Sequence, residues 1–328
     1  MKSIPEIDKR INKLDFNELL KPLSELKNCN FCPRNCNANR FSNKLGYCNA
    51  DAEFNISSIC IHRGEEPPIS GKNGICNIFF TNCNLQCIYC QNYQISNNKL
   101  DHRSDKMSLE KVLKSIVEIL EQGINSIGFV SPSHFVPQVK ILIKAIKMLG
   151  YNPTFVYNSN AYDKVEVLES FFGLIDVYLP DFKYMDNKIS NEFSDAANYP
   201  EVAIKAISEM HRQVGDKLIL DENGIANSGL LIRHLVLPGN VKNSINVLRK
   251  ISETISSKIH ISLMSQYYPI YKVAEHEYLG RTLKKSEYKK VVDELEKLDF
   301  VNGWVQDMSS FENYRPDFIK EKPFNLEI

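Results

Sequence analysis

Three cysteines, Cys83, Cys87 and Cys90, stand in the run Thr81-Asn-Cys-Asn-Leu-Gln-Cys-Ile-Tyr-Cys-Gln-Asn92, spaced C-x3-C-x2-C directly after a short apolar stretch. Three thiolates on one compact loop suit a [4Fe–4S] cluster. Such a cluster ordinarily takes four cysteinates, so one iron is left open to a ligand from outside the chain. A zinc site borrowing a fourth ligand, Cys76 for example, is the competing reading of the same spacing. A second group, Cys29, Cys32, Cys36 and Cys48, falls in Asn28-Cys-Asn-Phe-Cys-Pro-Arg-Asn-Cys36 and Gly46-Tyr-Cys48. Four thiolates close around a tetrahedral zinc or a second iron–sulfur cluster, and the sequence does not separate the two. A small segment without a core of its own gains most from a metal held structurally, which favours a structural metal over an electron relay. Cys60 and Cys76 are left over and read as small buried residues near strands.

Composition narrows what these groups serve. The 328-residue chain balances 40 Lys and Arg against 40 Asp and Glu, so no global field draws it to nucleic acid or to an anionic membrane. Its first ten residues carry charges where a signal peptide needs an apolar run. Nowhere does the uncharged apolar stretch of about 18 residues that a membrane span requires occur. A cytoplasmic protein is expected, with no membrane and no nucleic acid as partner. All nine cysteines precede residue 91, and in a reducing compartment such clustering points to ligation rather than disulfides.

The elements that must position these loops are legible downstream. Residues 1–70 are rich in Asn, Cys and polar side chains, show little strand pattern, and read as a small cysteine-rich metal-binding appendage. From Gly74 onward, short β-branched or aromatic runs alternate with helical stretches, as in successive βα units. Strands are expected at 75–80, 124–130, 154–157, 174–179, 230–237, 259–263 and 304–306. Ser108 precedes Leu109, Val112, Ile116, Ile119 and Leu120 at helical spacing, with Gly123 to end that helix. Further helices are expected at 136–149, 200–214 and 244–255. Residues 217–220 form a hairpin with the strand at 230. About six such units predict an α/β fold, a partial (β/α)6 TIM-like barrel over residues 71–310 followed by a tail at 311–328. Chemistry is then expected at the C-terminal ends of the strands, where the cysteine loop falls.

The loop with Tyr89 just before its last cysteine resembles the signature of radical S-adenosylmethionine (radical SAM) enzymes. Further runs resemble the group related to pyruvate formate-lyase activating enzymes, and within it the PflX-type branch. These are Glu65-Glu-Pro-Pro-Ile-Ser-Gly71, Ser131-Pro-Ser-His134, Tyr178-Leu-Pro-Asp-Phe-Lys-Tyr184, Glu209-Met-His-Arg-Gln-Val-Gly215 and Arg233-His-Leu-Val-Leu-Pro-Gly239. The resemblance spans about residues 29 to 310. It implies a radical SAM barrel in which S-adenosylmethionine chelates the open iron, and an electron from the cluster cleaves it to methionine and a 5′-deoxyadenosyl radical. That radical abstracts hydrogen from a substrate, an oxygen-sensitive chemistry that the cofactor carries and the protein positions.

The resemblance also assigns roles by position. Tyr89 packs near the adenine, the alternative being an anchor for the loop. The Gly-Gly-Glu run that holds the cofactor's amino group in many such enzymes is replaced here by Val130-Ser-Pro-Ser-His134, where Ser131 and Ser133 supply contacts or Ser133 caps the next helix. Asn158 meets the ribose or methionine moiety. Asp181 and Lys183 share a strand face, the lysine pairing with the cofactor carboxylate or simply with the aspartate. Arg233 and Gln266 (or Tyr267) complete the ring. His62, Glu65 and Glu66 read as a solvated turn, the alternative being that they reach the barrel mouth. The implied reductant is a low-potential donor such as flavodoxin or ferredoxin, and the implied substrate is a glycine of a glycyl radical enzyme or another protein. The rival readings are radical modification of a different peptide or small molecule, and a non-catalytic iron–sulfur or zinc module that binds partners.

Overall fold

Runs such as Ile75-Cys-Asn-Ile-Phe-Phe80 and Ser126-Ile-Gly-Phe-Val130 are buried along their whole length, as strands covered on both faces must be. The computed structural model, which describes residues 4–102, 105–310, 315–320 and 322–324, places them at the centre of one sheet. Helices α1 (Ile4–Ile11) and α2 (Phe16–Leu20) open the chain, followed by a 3-10 stretch over Lys21–Asn28. Strand β1 (Phe54–His62) leads through one turn, α3 (Pro67–Ser70), to β2 (Ile75–Phe80). The cysteine loop, α4 (Tyr93–Ser96) and β3 (Lys106–Met107) come next. The repeat then runs α5 (Leu109–Leu120), β4 (Ser126–Val130), α6 (Val136–Met148), β5 (Thr154–Ser159), α7 (Val165–Glu169), β6 (Val177–Pro180), α8 (Asn187–Ser194) and α9 (Tyr199–Val214). It closes with β7 (Ile219–Leu220), β8 (Ala226–Leu235), α10 (Val241–Thr254), β9 (His260–Met264), α11 (Lys285–Lys297) and β10 (Gly303–Val305).

The sheet order is β10-β9-β8-β6-β5-β4-β2-β1-β3, with β7 added on β8. From β2 to β10 the neighbours are parallel, while β1 runs antiparallel to β2, β3 to β1 and β7 to β8. The pairing ends at β10 and β3 rather than returning on itself, so the α/β fold is the expected partial barrel. Local signals act as read. Ser108 Oγ accepts the Lys111 N–H at 3.2 Å and starts α5, a cap worth about 1 kcal/mol. Leu109, Val112, Leu113, Ile116 and Val117 then face the core. Among the described residues no helix is long and apolar enough to cross a membrane.

Three expectations are corrected. The first 70 residues contain a nine-residue strand, β1, seated against β2, and Lys114 Nζ holds Asp8 of α1 at 2.9 Å across α5. Strand β8 starts at Ala226, ahead of the expected 230, because β7 and β6 supply ladders for Ser228 and Gly229. Ser133 does not cap α6. The chain makes a 3-10 turn over Pro132–His134, and Phe135 precedes the helix.

Candidate active site at the mouth of the partial barrel

Strand β2 delivers the cysteine loop to the C-terminal edge of the sheet, where Asn82 turns the chain at a φ of 63°. Asn98 clamps the loop. Its Oδ1 accepts the Cys83 N–H at 2.9 Å and its Nδ2 donates to the Cys83 carbonyl at 2.9 Å. Each sulfur receives a donor. Leu85 N–H and Asn160 Nδ2 lie 3.4 and 3.5 Å from Cys83 Sγ, Ser194 Oγ 2.9 Å from Cys87 Sγ, and Ser96 Oγ 3.2 Å from Cys90 Sγ. A run of hydroxyls ends on the middle sulfur, Tyr89 to Tyr184 at 2.5 Å and Tyr184 to Ser194 at 2.7 Å. Burial pushes the Cys83 thiol up to about 12 and the Cys87 thiol up to about 11. These sulfurs keep their protons until a cation takes them as thiolates, so ligation releases protons.

The three cysteines wall a cavity of about 440 Å³. Among the described residues no three His, Cys, Asp or Glu side chains close on one metal ion. The three sulfurs face a space with room for a cluster. Donors aimed at sulfur are also what tunes and holds an iron–sulfur cluster, so the residues fit a cubane with one open iron.

Opposite the sulfurs lies a ring of charge. Arg233 on β8 donates through Nε to Asp181 Oδ1 at 2.8 Å, through Nη1 to Glu65 Oε2 at 3.1 Å and through Nη2 to Asn158 Oδ1 at 2.6 Å. Lys183 Nζ holds the other oxygen, Asp181 Oδ2, at 2.7 Å. Burial would raise the Asp181 carboxyl, but Arg233 and Lys183 outweigh it and hold it below its ordinary value. Burial likewise works against the Lys183 ammonium, and Asp181 and Cys87 more than offset it. Behind Glu65 stands Asn77 of β2, donating to Glu65 Oε1 at 2.9 Å. That side chain lies across β4 only because residue 128 is glycine, where a Cβ would overlap Asn77 Oδ1. Glu66 Oε2 and His62 Nδ1 are buried without a hydrogen-bond partner on the same wall. Such atoms call for a partner from outside the chain.

Cys83, Cys87, Cys90, Tyr89, Ser131, Asn158, Asp181, Lys183, Arg233 and Gln266 all line this one cavity. Ser131 does so from a left-handed conformation, φ 52°, with its N–H given to the Asn158 carbonyl at 2.8 Å. Ser133 does not line it. It is buried on the far side of β5, beside Asp163 and Tyr157. Tyr267 is buried and spends its hydroxyl on the Leu279 carbonyl at 2.6 Å. Lys183, expected to meet a cofactor carboxylate or the neighbouring aspartate, is paired with Asp181. His62, Glu65 and Glu66, read as a solvated turn, belong to the wall because β1 carries them there. Asn84, Ser96, Asn160, Tyr184 and Ser194 carried no signal in the sequence, since their role depends on which sulfur or neighbour folding sets beside them. The second group, Cys29, Cys32, Cys36 and Cys48, gathers around a separate small cavity. Cys60 and Cys76 sit on β1 and β2.

A parallel α/β partial barrel with a three-cysteine loop after its first parallel strand and a polar, charge-paired mouth defines a cluster-bearing barrel enzyme. The profile of the Radical SAM superfamily matches residues 77–221. An uncharacterized protein of Methanocaldococcus jannaschii is 30% identical over 307 residues, 87% of this chain and 83% of its own. The chain belongs to the radical SAM superfamily, and with that membership come a [4Fe–4S] cluster and S-adenosylmethionine. Among solved structures it is similar to a domain of pyruvate-formate lyase-activating enzyme from Bacteroides vulgatus (TM-score 0.38, 14% identity, 52% of this chain and 93% of that one). It is also similar to Streptococcus suis SuiB bound to S-adenosylmethionine (0.47, 15%, 71% and 50%) and to HydG, a maturase of the [FeFe]-hydrogenase (0.45, 16%, 94% and 68%).

Proposed function

We propose that this radical SAM enzyme is of the pyruvate formate-lyase activating, PflX-type branch and abstracts hydrogen from a glycine of a partner protein. The observation that supports the reading is a cavity joining the three sulfurs to a ring of paired charges, on a face that the unclosed sheet leaves open to a protein loop. When bound, the cluster supplies the electron that cleaves S-adenosylmethionine. The chain's own residues do the holding. Cys83, Cys87 and Cys90 would ligate the cluster, and Tyr89 would pack near the adenine. Ser131 and Asn158 face the amino and ribose groups. Lys183 and Arg233 would offer charge to the carboxylate, with Asp181 holding both cations in place. The tyrosines around Tyr89 keep water from the reactive carbon. In this reading the partial barrel spans residues 71–310, residues 1–70 are the cysteine-rich segment, 311–328, in part outside the described residues, are the remaining segment, and a cytoplasmic flavodoxin or ferredoxin supplies electrons.

Reconstituted protein, incubated anaerobically with S-adenosylmethionine and reductant, is expected to form 5′-deoxyadenosine, and Cys87→Ala to abolish it. With a glycyl radical enzyme added, a glycyl radical doublet is expected by electron paramagnetic resonance. Its absence across candidate partners removes the activase reading. No 5′-deoxyadenosine from an intact cluster leaves only a binding module. One observation favours a second substrate class. Pro316 and Phe324 stand in the cavity wall, Phe324 with its ring 4.1 Å from that of His62, and aromatic and proline cover on that wall suits a small molecule or a different peptide.

A further inference from the structure

Glu65-Glu-Pro-Pro-Ile-Ser-Gly71 enters the barrel on a backbone with little freedom. Two prolines follow Glu66 and fix the chain beyond it, and the Glu66 carbonyl accepts the N–H groups of Ile69 and Ser70 at 2.8 and 3.1 Å. The Glu66 side chain is not spent on capping α3. It lines the main cavity instead, where its Oε2 is buried without a hydrogen-bond partner. The Ser262 hydroxyl of β9 is its polar neighbour. Ser262 belongs to a row of register partners, Arg233, Ser262 and Trp304, that crosses β8, β9 and β10.

Negative charge is left over at this place. The described residues lining the cavity include three carboxylates, Glu65, Glu66 and Asp181, against two cations, Lys183 and Arg233. Asp181 takes both cations, and Glu65 shares Arg233. The remaining donor of Arg233, Nη2, goes to Asn158. Among the described residues Glu66 has no ion pair. A buried carboxylate so placed calls for a positive partner from outside the chain. Burial pushes the Glu66 carboxyl above its ordinary value, which marks how poorly the chain itself compensates the charge.

The surroundings describe that partner further. His62 Nδ1 is a second buried atom without a hydrogen bond, and burial holds the imidazole below its ordinary value, hence neutral and able to accept. Two waiting acceptors suit a group rich in N–H donors. The Phe324 ring stands 4.1 Å from that of His62 and 5.4 Å from that of Phe79, and Trp304 lines the same cavity. Ring faces attract a cation and cover the methylene stem that carries it. The place is also distinct from the cluster end. Cys87 and Cys90 act on the Lys183 ammonium, whereas the charges that act on Glu66 are those of Arg233 and Glu65.

We infer that Glu66, with His62 and the rings beside it, binds an ammonium or guanidinium group of the substrate. That the cation belongs to the substrate rests on the catalytic reading above, whereas the preference of the site for positive charge does not.

Anaerobically reconstituted full-length protein carrying S-adenosylmethionine is titrated calorimetrically with acetyl-Gly-Arg-Gly-amide, with the same tripeptide bearing citrulline for arginine, and with agmatine. Citrulline keeps the shape and loses the charge. The arginine peptide is expected to bind on the order of thirtyfold more tightly than the citrulline peptide, the low end for a desolvated charge pair, and Glu66→Gln to remove that preference. Equal affinities, or no binding of any probe, overturn the proposal, as does a preference that survives Glu66→Gln. The first comparison uses unaltered protein, so it decides even where the variant fails to fold. Agmatine bound as tightly as the arginine peptide assigns the cation to a small molecule, and a tighter peptide assigns it to a basic side chain of a protein. A Glu66→Gln loss that is larger for S-adenosylmethionine than for the arginine peptide gives Glu66 to the sulfonium and overturns the proposal. A charge preference in protein that forms no 5′-deoxyadenosine removes the catalytic reading and keeps the site. Formation of 5′-deoxyadenosine with no charge preference removes the site alone.

Discussion

Replacing Arg233 by glutamine tests the reading of the barrel mouth most directly. Arg233 is 14% exposed and pairs with Glu65, 10% exposed, and Asp181, 20% exposed. Its loss leaves those two carboxylates facing a single remaining cation, Lys183. Stranding a buried charge in this way costs about 3–5 kcal/mol. Lys183 stays on Asp181, and Asn77 and Asn158 stay on Glu65, so the low end applies. About 3 kcal/mol is a factor of roughly 150 in the ratio of folded to unfolded chains. Anaerobic urea unfolding at pH 7 measures it. The sign with pH is fixed as well. The Asp181 carboxyl is held below its ordinary 3.8 in the folded protein. Its contribution is therefore full above that value and lost as pH falls through the folded value. Arg233→Gln removes a main cause of that depression, so the deficit of the variant is widest above pH 4 and narrows in acid, where protonated carboxylates no longer need the arginine. Adding Glu65→Gln should recover part of the loss. A deficit below about 1 kcal/mol, the scale of an exposed pair, or one that widens in acid or with Glu65→Gln, refutes the reasoning.

Ser194→Ala removes the hydroxyl donated to Cys87 Sγ. It is expected to lower the cluster's reduction potential by on the order of 50 mV, read by a redox titration with paramagnetic resonance, and an unmoved potential counts against that hydrogen bond. Burial pushes the His234 imidazole down to about 4 against the pull of its bond to the Phe182 carbonyl. The unfolded chain takes up that proton near pH 6.5, so stability is full above 6.5 and declines by about 3 kcal/mol toward pH 4. In His234→Asn the urea midpoint should fall less steeply over that window. Gly46→Ala drives a methyl into Cys36 and is expected to deplete the metal held by Cys29, Cys32, Cys36 and Cys48 while sparing that of Cys83, Cys87 and Cys90, as counted by metal analysis.

Much of this architecture is written in local pattern. The run 75–80 is a strand in sequence and in space because it is buried on both faces, and α9 ends at Gly215 where glycine turns the chain at φ 74°. What escaped is what depends on partners far along the chain. Strand β1 reads as polar, with Asn55, Ser57 and Ser58 in it, and becomes a strand only by pairing with β2. With β1 unseen, a solvated turn outweighed the barrel mouth as the place for Glu65, although it is the residue that Arg233 reaches from β8 across 168 positions. The cysteines were legible by spacing. Their hydrogen-bond donors Asn160 and Ser194 were not, because a serine on a helix announces nothing about the sulfur it will meet. Lys183 illustrates a third limit, for β6 ends at Pro180 before it could share a strand face with Asp181, and the choice between Asp181 and a ligand is made by geometry alone.

The cavity wall is assembled from stretches inside and outside the segment that the superfamily shares. The segment matched by the superfamily profile, residues 77–221, supplies the sulfurs, Asn158 and Lys183. Glu65, Arg233, Gln306 and Phe324 reach the same cavity from outside it. Two descendants of a common ancestor can therefore keep one ignition chemistry intact and drift apart in what they ignite, through changes at positions that a comparison of their shared signature never inspects.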